Sequence, residues 1–100
     1  MSFLYEAIAN LDSRKYTYRF VIVPETIGSI AYLSVRGNDL KSNLVAGYQL
    51  TCLGDKGNFT YKKTKLENSY ADFLAIKTLK NLNNKFKIID FFPTGSDERQ

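Results

Sequence analysis

Two short stretches concentrate the side chains that could do chemistry. The first is Pro24-Glu25-Thr26, a single carboxylate directly after an apolar run. The second is Ser96-Asp97-Glu98-Arg99-Gln100, two adjacent carboxylates shortly after Pro93. A carboxylate at such a place can cap a helix, where negative charge in the first turn is worth roughly 0.3–1 kcal/mol. It can also take a proton as a general base, or hold a metal ion. From composition alone, Asp97 and Glu98 also read as a solvated tail. The chain has no histidine and one cysteine, Cys52. Within these residues that excludes a Ser-His-Asp triad, a Cys-His pair, a His-bearing zinc helix and an internal disulfide. Cys52 lies in Gln49-Leu50-Thr51-Cys52-Leu53, where a buried small hydrophobe of a reducing cytosol is expected.

The elements that must position these groups follow from the apolar pattern. Phe3, Leu4, Ala7, Ile8 and Leu11 have helical spacing. Tyr16 to Val23 is β-branched and aromatic, with a continuously apolar second half, which predicts a central strand ending at Pro24. A helix starts at Glu25 or Thr26 with Ile27, Ile30, Ala31 and Leu33 on one face, and Gly37-Asn38-Asp39 reads as a loop. Val45 to Leu53 predicts a strand, Gly54-Asp55-Lys56-Gly57 a hairpin turn, and Asn58 to Lys63 a half-exposed edge strand. Ser69-Tyr70-Ala71-Asp72 has the form of a capping box opening a helix with Ala71, Leu74, Ala75, Leu79 and Leu82 as its stripe. Phe86 to Phe92 predicts a third core strand, stopped by Pro93. Alternation of this kind argues an α/β fold, and ligand sites in such sheets lie just beyond the carboxyl ends of the strands. The turns at Glu25 and Asp97 are therefore expected to meet.

The chain has 100 residues, 44% hydrophobic and 24% charged, with a formal charge of +4. That bounds it to one domain or a piece of one. No run approaches the roughly 20 apolar residues of a membrane span, and the start lacks a signal-peptide pattern, so a cytoplasmic protein is expected. The lysines are dispersed except at Lys62, Lys63 and Lys65, which argues against nucleic acid as a partner. Tyr16, Tyr18 and Phe20 alternate with Thr17 and Arg19 as on a base-stacking sheet, but packing under helices is the stronger reading.

Three segments carry a resemblance. They are Tyr18 to Ser34, Ala46 to Asp55 and Gly95 to Gln100. They resemble a bacterial aminopeptidase-like family of the DUF4910 type, related to the M28 zinc peptidases and linked to polysaccharide biosynthesis. The likeness covers residues 16 to 100 and corresponds to the latter-middle part of a longer domain. It implies a three-layer α/β/α zinc-peptidase (phosphorylase/hydrolase-like) domain with a mixed sheet, in which metal-activated water attacks a peptide carbonyl. Glu25 matches a pair of glutamates in the relatives, one a base and the other a metal ligand; only one is present here, and base is the role taken. Asp97 matches the aspartate of a Ser-Asp-His element that supports the site, with Ser96 before it and Glu98 in the histidine's place. A further ligand aspartate would fall near Thr51-Cys52, where neither residue is a carboxylate.

Two functional classes follow. In the first, residues 1–100 are part of a zinc-dependent aminopeptidase-like hydrolase acting on peptide-like substrates. Zinc is then expected for the full-length domain, none for this chain alone, and the isolated chain is inactive. In the second, it is a non-catalytic α/β binding or assembly module that meets a protein or nucleic acid. In either, an exposed sheet edge near Asn58–Lys63 invites homo-oligomers.

Overall fold

Sequence pattern and architecture agree best in the second half of the chain. In the computed structural model, which describes residues 2–82, 85–93 and 97, the alternating segment forms strand β1, Phe59–Lys62. The last apolar run forms strand β2, Phe86–Ile89. They pair in parallel, Phe59 opposite Phe86 and Lys62 opposite Ile89. The Lys63 N–H donates to the Ile89 carbonyl at 3.0 Å and carries the ladder one residue further. Parallel partners cannot be joined by a tight turn, because the chain must return to the end it started from. The helix Tyr70–Asn81, third in chain order and therefore α3, is that crossover. This corrects the hairpin expected at 54–57: β1 pairs with β2, and Val45 to Leu53 belongs to no strand among the described residues.

Helix α3 starts where its local chemistry says it should. Ser69 Oγ accepts the Asp72 N–H at 3.2 Å, and Asp72 Oδ2 accepts the Ser69 N–H at 2.9 Å. Those reciprocal bonds satisfy two donors that the first turn would otherwise leave unpaired. At the other end the Leu82 N–H reaches the carbonyls of Thr78 and Leu79, closing the last turn.

The first half is built differently. Helix α1 spans Ser2–Ala9, as its spacing predicts, and Tyr5 meets Phe20 edge to face with centroids 5.6 Å apart. Helix α2 spans Ile27–Asn43 and runs straight through the loop expected at Gly37-Asn38-Asp39. The polar side chains there bond inside the helix instead of breaking it. Ser42 Oγ donates to the Asn38 carbonyl, and Asn43 Nδ2 to both the carbonyl and the carboxylate of Asp39, all at 3.1 Å. Satisfied within their own helix, they no longer compete for a turn.

Tyr16 to Val23 is not a strand. Its apolar run signals burial on both faces, yet an extended segment becomes a strand only beside a paired neighbour, and Ile22 is 81% exposed. Cys52, expected inside, is exposed, with φ at 50° in an irregular stretch. The physical reason is shared: the layers that would cover these residues are not formed by the described chain.

The surface measures that shortfall. The chain exposes 8616 Å², against about 5,800 Å² for a compact monomer of this mass. Its radius of gyration is 14.6 Å, against about 13 Å for a compact domain of this length. Among the described residues only Ala71 and Asp72 are buried. The architecture of the described residues is thus a mixture of helices and a small parallel sheet, compatible with α/β. No helix among the described residues is long and apolar enough to cross a membrane.

Candidate functional site: two carboxylates at two helix starts

Glu25 sits in a turn with unusual geometry. The next residue, Thr26, has φ 61° and ψ −68°. The Ile27 N–H donates back to the Glu25 carbonyl at 2.7 Å, which makes a three-residue γ-turn of the rare positive-φ kind. A β-branched residue is disfavoured there by its own Cβ. The turn is tightened from the far side, where the Gly28 N–H donates to the Pro24 carbonyl at 3.0 Å. A Cβ on Gly28 would lie 2.6 Å from Val23 Cβ and 2.8 Å from Pro24 Cδ, so only glycine lets the chain approach this closely.

Asp97 completes the turn from across the sequence. Its Oδ1 accepts the Thr26 N–H, 71 residues away, at 2.7 Å, and the hydroxyl of Ser29 as well. Thr26, at the N-cap of α2, makes no side-chain capping bond. Asp97 therefore brings the helix start an acceptor and a negative charge from across the sequence. The structure thus brings the Asp97 carboxylate onto the turn that bears Glu25, whose residue is exposed. Ser96 and Glu98, the other residues expected here, lie outside the described residues. Ser29 was not among the expected residues; a hydroxyl one turn into a helix carries no signal of a partner 68 positions on.

The second carboxylate, Asp72, is 2% exposed and accepts five hydrogen bonds. Its Oδ1 takes the Tyr61 hydroxyl at 2.9 Å and the Thr64 N–H at 2.8 Å. Its Oδ2 takes the Thr64 hydroxyl at 2.6 Å, the Ser69 N–H at 2.9 Å and the Ser69 hydroxyl at 2.7 Å. Burial pushes the Asp72 carboxyl up, but bonds from Thr64, Ser69 and Tyr61 to the charged form outweigh it and hold the group well below the usual carboxylate range. Burial, and then the bond to Asp72, push the Tyr61 phenol up. Tyr48 is pushed up by burial and by the Asp72 charge, and its hydroxyl donates to the Ala71 carbonyl at 2.9 Å. A carboxylate that stays ionised with its lone pairs occupied has nothing left to offer a proton or a metal. Asp72 fastens β1, the following loop and α3 together.

A third, exposed group ties the segment before Glu25 to α2. Arg19 Nη1 donates to Asp39 Oδ2 at 3.0 Å and to the Tyr32 hydroxyl at 3.1 Å. The Arg19 bond, then the Asn43 bond, hold the Asp39 carboxyl below its usual range.

These residues do not fit a zinc ion. Among the described residues no three of His, Cys, Asp or Glu gather as a metal site needs. Asp97 has its Oδ1 occupied by Thr26 and Ser29, and Cys52 is exposed in the irregular stretch beyond α2. Zinc sites are built mainly from imidazole and thiolate donors, so no step is assigned to a metal held here.

Comparison with known proteins places the chain in a family. A curated protein of Clostridium acetobutylicum, described as a "Putative polysaccharide biosynthesis protein with aminopeptidase-like domain", is 43% identical over 100 residues, all of this chain but 23% of its own length. A crystal structure described as a putative peptidase from the same organism superposes with a TM-score of 0.89 at 43% identity, over 99% of this chain and 23% of that one. The chain thus spans about a quarter of the length of the relatives it matches. The model of the domain of unknown function DUF4910 matches residues 1–100 from end to end, and the chain belongs to that family.

Proposed function

We propose that this segment supplies one wall of a peptidase-like hydrolytic site, with Glu25 as its base. The reading is supported chiefly by the bond between Asp97 and the Thr26 turn, which gathers two acid-bearing segments of distant sequence at one place. The relatives named aminopeptidase-like and peptidase lend the reaction class. Glu25, exposed on a fixed turn, takes a proton from a water molecule as that water attacks a peptide carbonyl. Asp97, flanked by Ser96 and Glu98, supports the site and does not itself receive the proton. The substrate is peptide-like.

A zinc ion of the M28 kind would polarise the carbonyl and acidify the water. It would have to be held by residues outside this segment, because the donors described here do not assemble. In the complete domain the parallel pair β1–β2 becomes part of a three-layer α/β/α core in a cytoplasmic protein, and the exposed apolar surface is its packing face.

The test is Glu25→Gln in the full gene product, assayed for release of an N-terminal residue from an aminoacyl p-nitroanilide. Loss of a positioned base should lower kcat by about 10²–10⁴ with the circular dichroism spectrum unchanged. Wild-type turnover in that variant would remove Glu25 from the mechanism.

A further inference from the structure

We infer that Asp97 and Ser29 are positioning residues that hold Thr26 in a left-handed turn, and that this held strain is what fixes the direction in which the chain presents Glu25. The inference rests on the reading of Glu25 as the base for its consequence, but not for its mechanics. Thr26 at φ 61° is in a region that a β-branched residue enters only when its surroundings over-determine it. Released, it would relax to negative φ. That would swing its N–H, break the Ile27-to-Glu25 bond across the turn and re-aim residue 25.

Three constraints oppose this relaxation. One oxygen, Asp97 Oδ1, accepts from both the Thr26 N–H and the Ser29 hydroxyl, so the turn and the first turn of α2 are tied to one point. The Gly28 N–H holds the Pro24 carbonyl from the other side. The missing Cβ at Gly28 leaves room for Val23 and Pro24 against the helix start. Asp97 acts on Glu25 through the backbone of Thr26, without itself meeting a substrate.

A double-mutant cycle between Asp97→Ala and Thr26→Gly tests the mechanics, because glycine adopts positive φ without the Cβ conflict. In the wild-type background the release of Thr26 strain offsets part of what Asp97→Ala loses, so the folded-to-unfolded ratio should fall threefold or less, read by urea titration. In the Thr26→Gly background, with no strain to release, the same change should lower it about tenfold. Equal losses in both backgrounds would overturn the inference. Should Asp97→Ala not fold, Asp97→Asn, which keeps one acceptor oxygen, runs the same cycle with a smaller coupling.

Kinetics of the full gene product then separate positioning from plain stability. Asp97→Ala should lower kcat at least tenfold with KM changed less than twofold, and Asp97→Asn should recover most of the loss. A variant that keeps wild-type kcat contradicts the positioning role. Coupling in the cycle together with a fully active Glu25→Gln would leave this inference standing while removing Glu25 as base. No coupling together with an inactive Glu25→Gln would do the reverse.

Discussion

Two helices of this chain begin at an aspartate, and the two aspartates come from opposite distances. Asp72 is the third residue of α3 and caps that helix together with Ser69. Asp97 reaches the start of α2 from 71 residues downstream. The near one is buried under five donors and, with Ala71 beside it, forms the buried part of the described chain. The far one is half-buried and holds a turn whose backbone would not choose that shape unaided. A local cap can be saturated because the residues that serve it are already adjacent. A remote cap closes a long loop, and its gain is a fixed relation between two segments that would otherwise move independently. The first arrangement suits stability; the second suits the placement of a side chain.

Removing the near carboxylate should have the largest effect. Asp72→Ala takes away the acceptor that the Tyr61 hydroxyl, the Thr64 N–H and the Ser69 N–H share on half-buried residues, at a cost of about 3 kcal/mol. That is a large share of what any native protein has to lose. Urea titration at neutral pH measures it. The sign of its pH dependence follows from the depressed carboxyl: the contribution is complete above the ordinary carboxylate value of about 3.9 and is lost as pH falls toward the folded-state value below it. Wild type should therefore lose stability more steeply than Asp72→Ala between pH 5 and pH 2.5. Parallel slopes would mean that Asp72 is not held ionised by these bonds.

The same contrast explains how much could be read from sequence. Helix α3 and its cap were legible because Ser69 and Asp72 meet at a spacing of three. That Asp72 also gathers Tyr61 and Thr64 was not, because it depends on β1 lying beside the helix start. Strand β1 was placed within a residue, yet its partner was not, because alternation gives a strand its faces and says nothing of its neighbour or direction. The two apolar runs 16–23 and 45–53 misled for one reason: a hydrophobic stretch reports a wish for burial, which the described residues do not grant. Glu25 stood out as a lone acid after such a run. Its link to Asp97 was expected from the resemblance and from the habit of strand-end loops to converge; the atoms that make it, the Thr26 N–H and the Ser29 hydroxyl, could not be.

An intermediate effect is expected at the turn itself. Gly28→Ala places a methyl group against Val23 and Pro24 at distances no relaxed structure holds, and both neighbours are short and stiff. The backbone must shift, at about 1–3 kcal/mol. Differential scanning calorimetry should show a fall in Tm smaller than that of Asp72→Ala. The Thr26 amide, sampled by hydrogen exchange, should lose protection while amides of α3 keep theirs. If α3 exchanged faster as well, the two helix starts would be one cooperative unit and the contrast drawn between them would be wrong.

The smallest effect belongs to Arg19. Its ion pair with Asp39 has the same 3.0 Å geometry that would matter in a buried site, but the two side chains are 46% and 39% exposed. Water and salt screen the pair, and holding a long arginine in one rotamer costs entropy that offsets what remains. Asp39 also keeps its bonds from Asn43 when the arginine is gone. Arg19→Gln should thus lower the urea midpoint only slightly at low ionic strength and not measurably at 0.5 M sodium chloride. A salt-insensitive drop as large as that of Gly28→Ala would show that the segment before Glu25 is fastened to α2 through Arg19 and Tyr32, and that this pair adds a further anchor to those at Asp97 and Gly28.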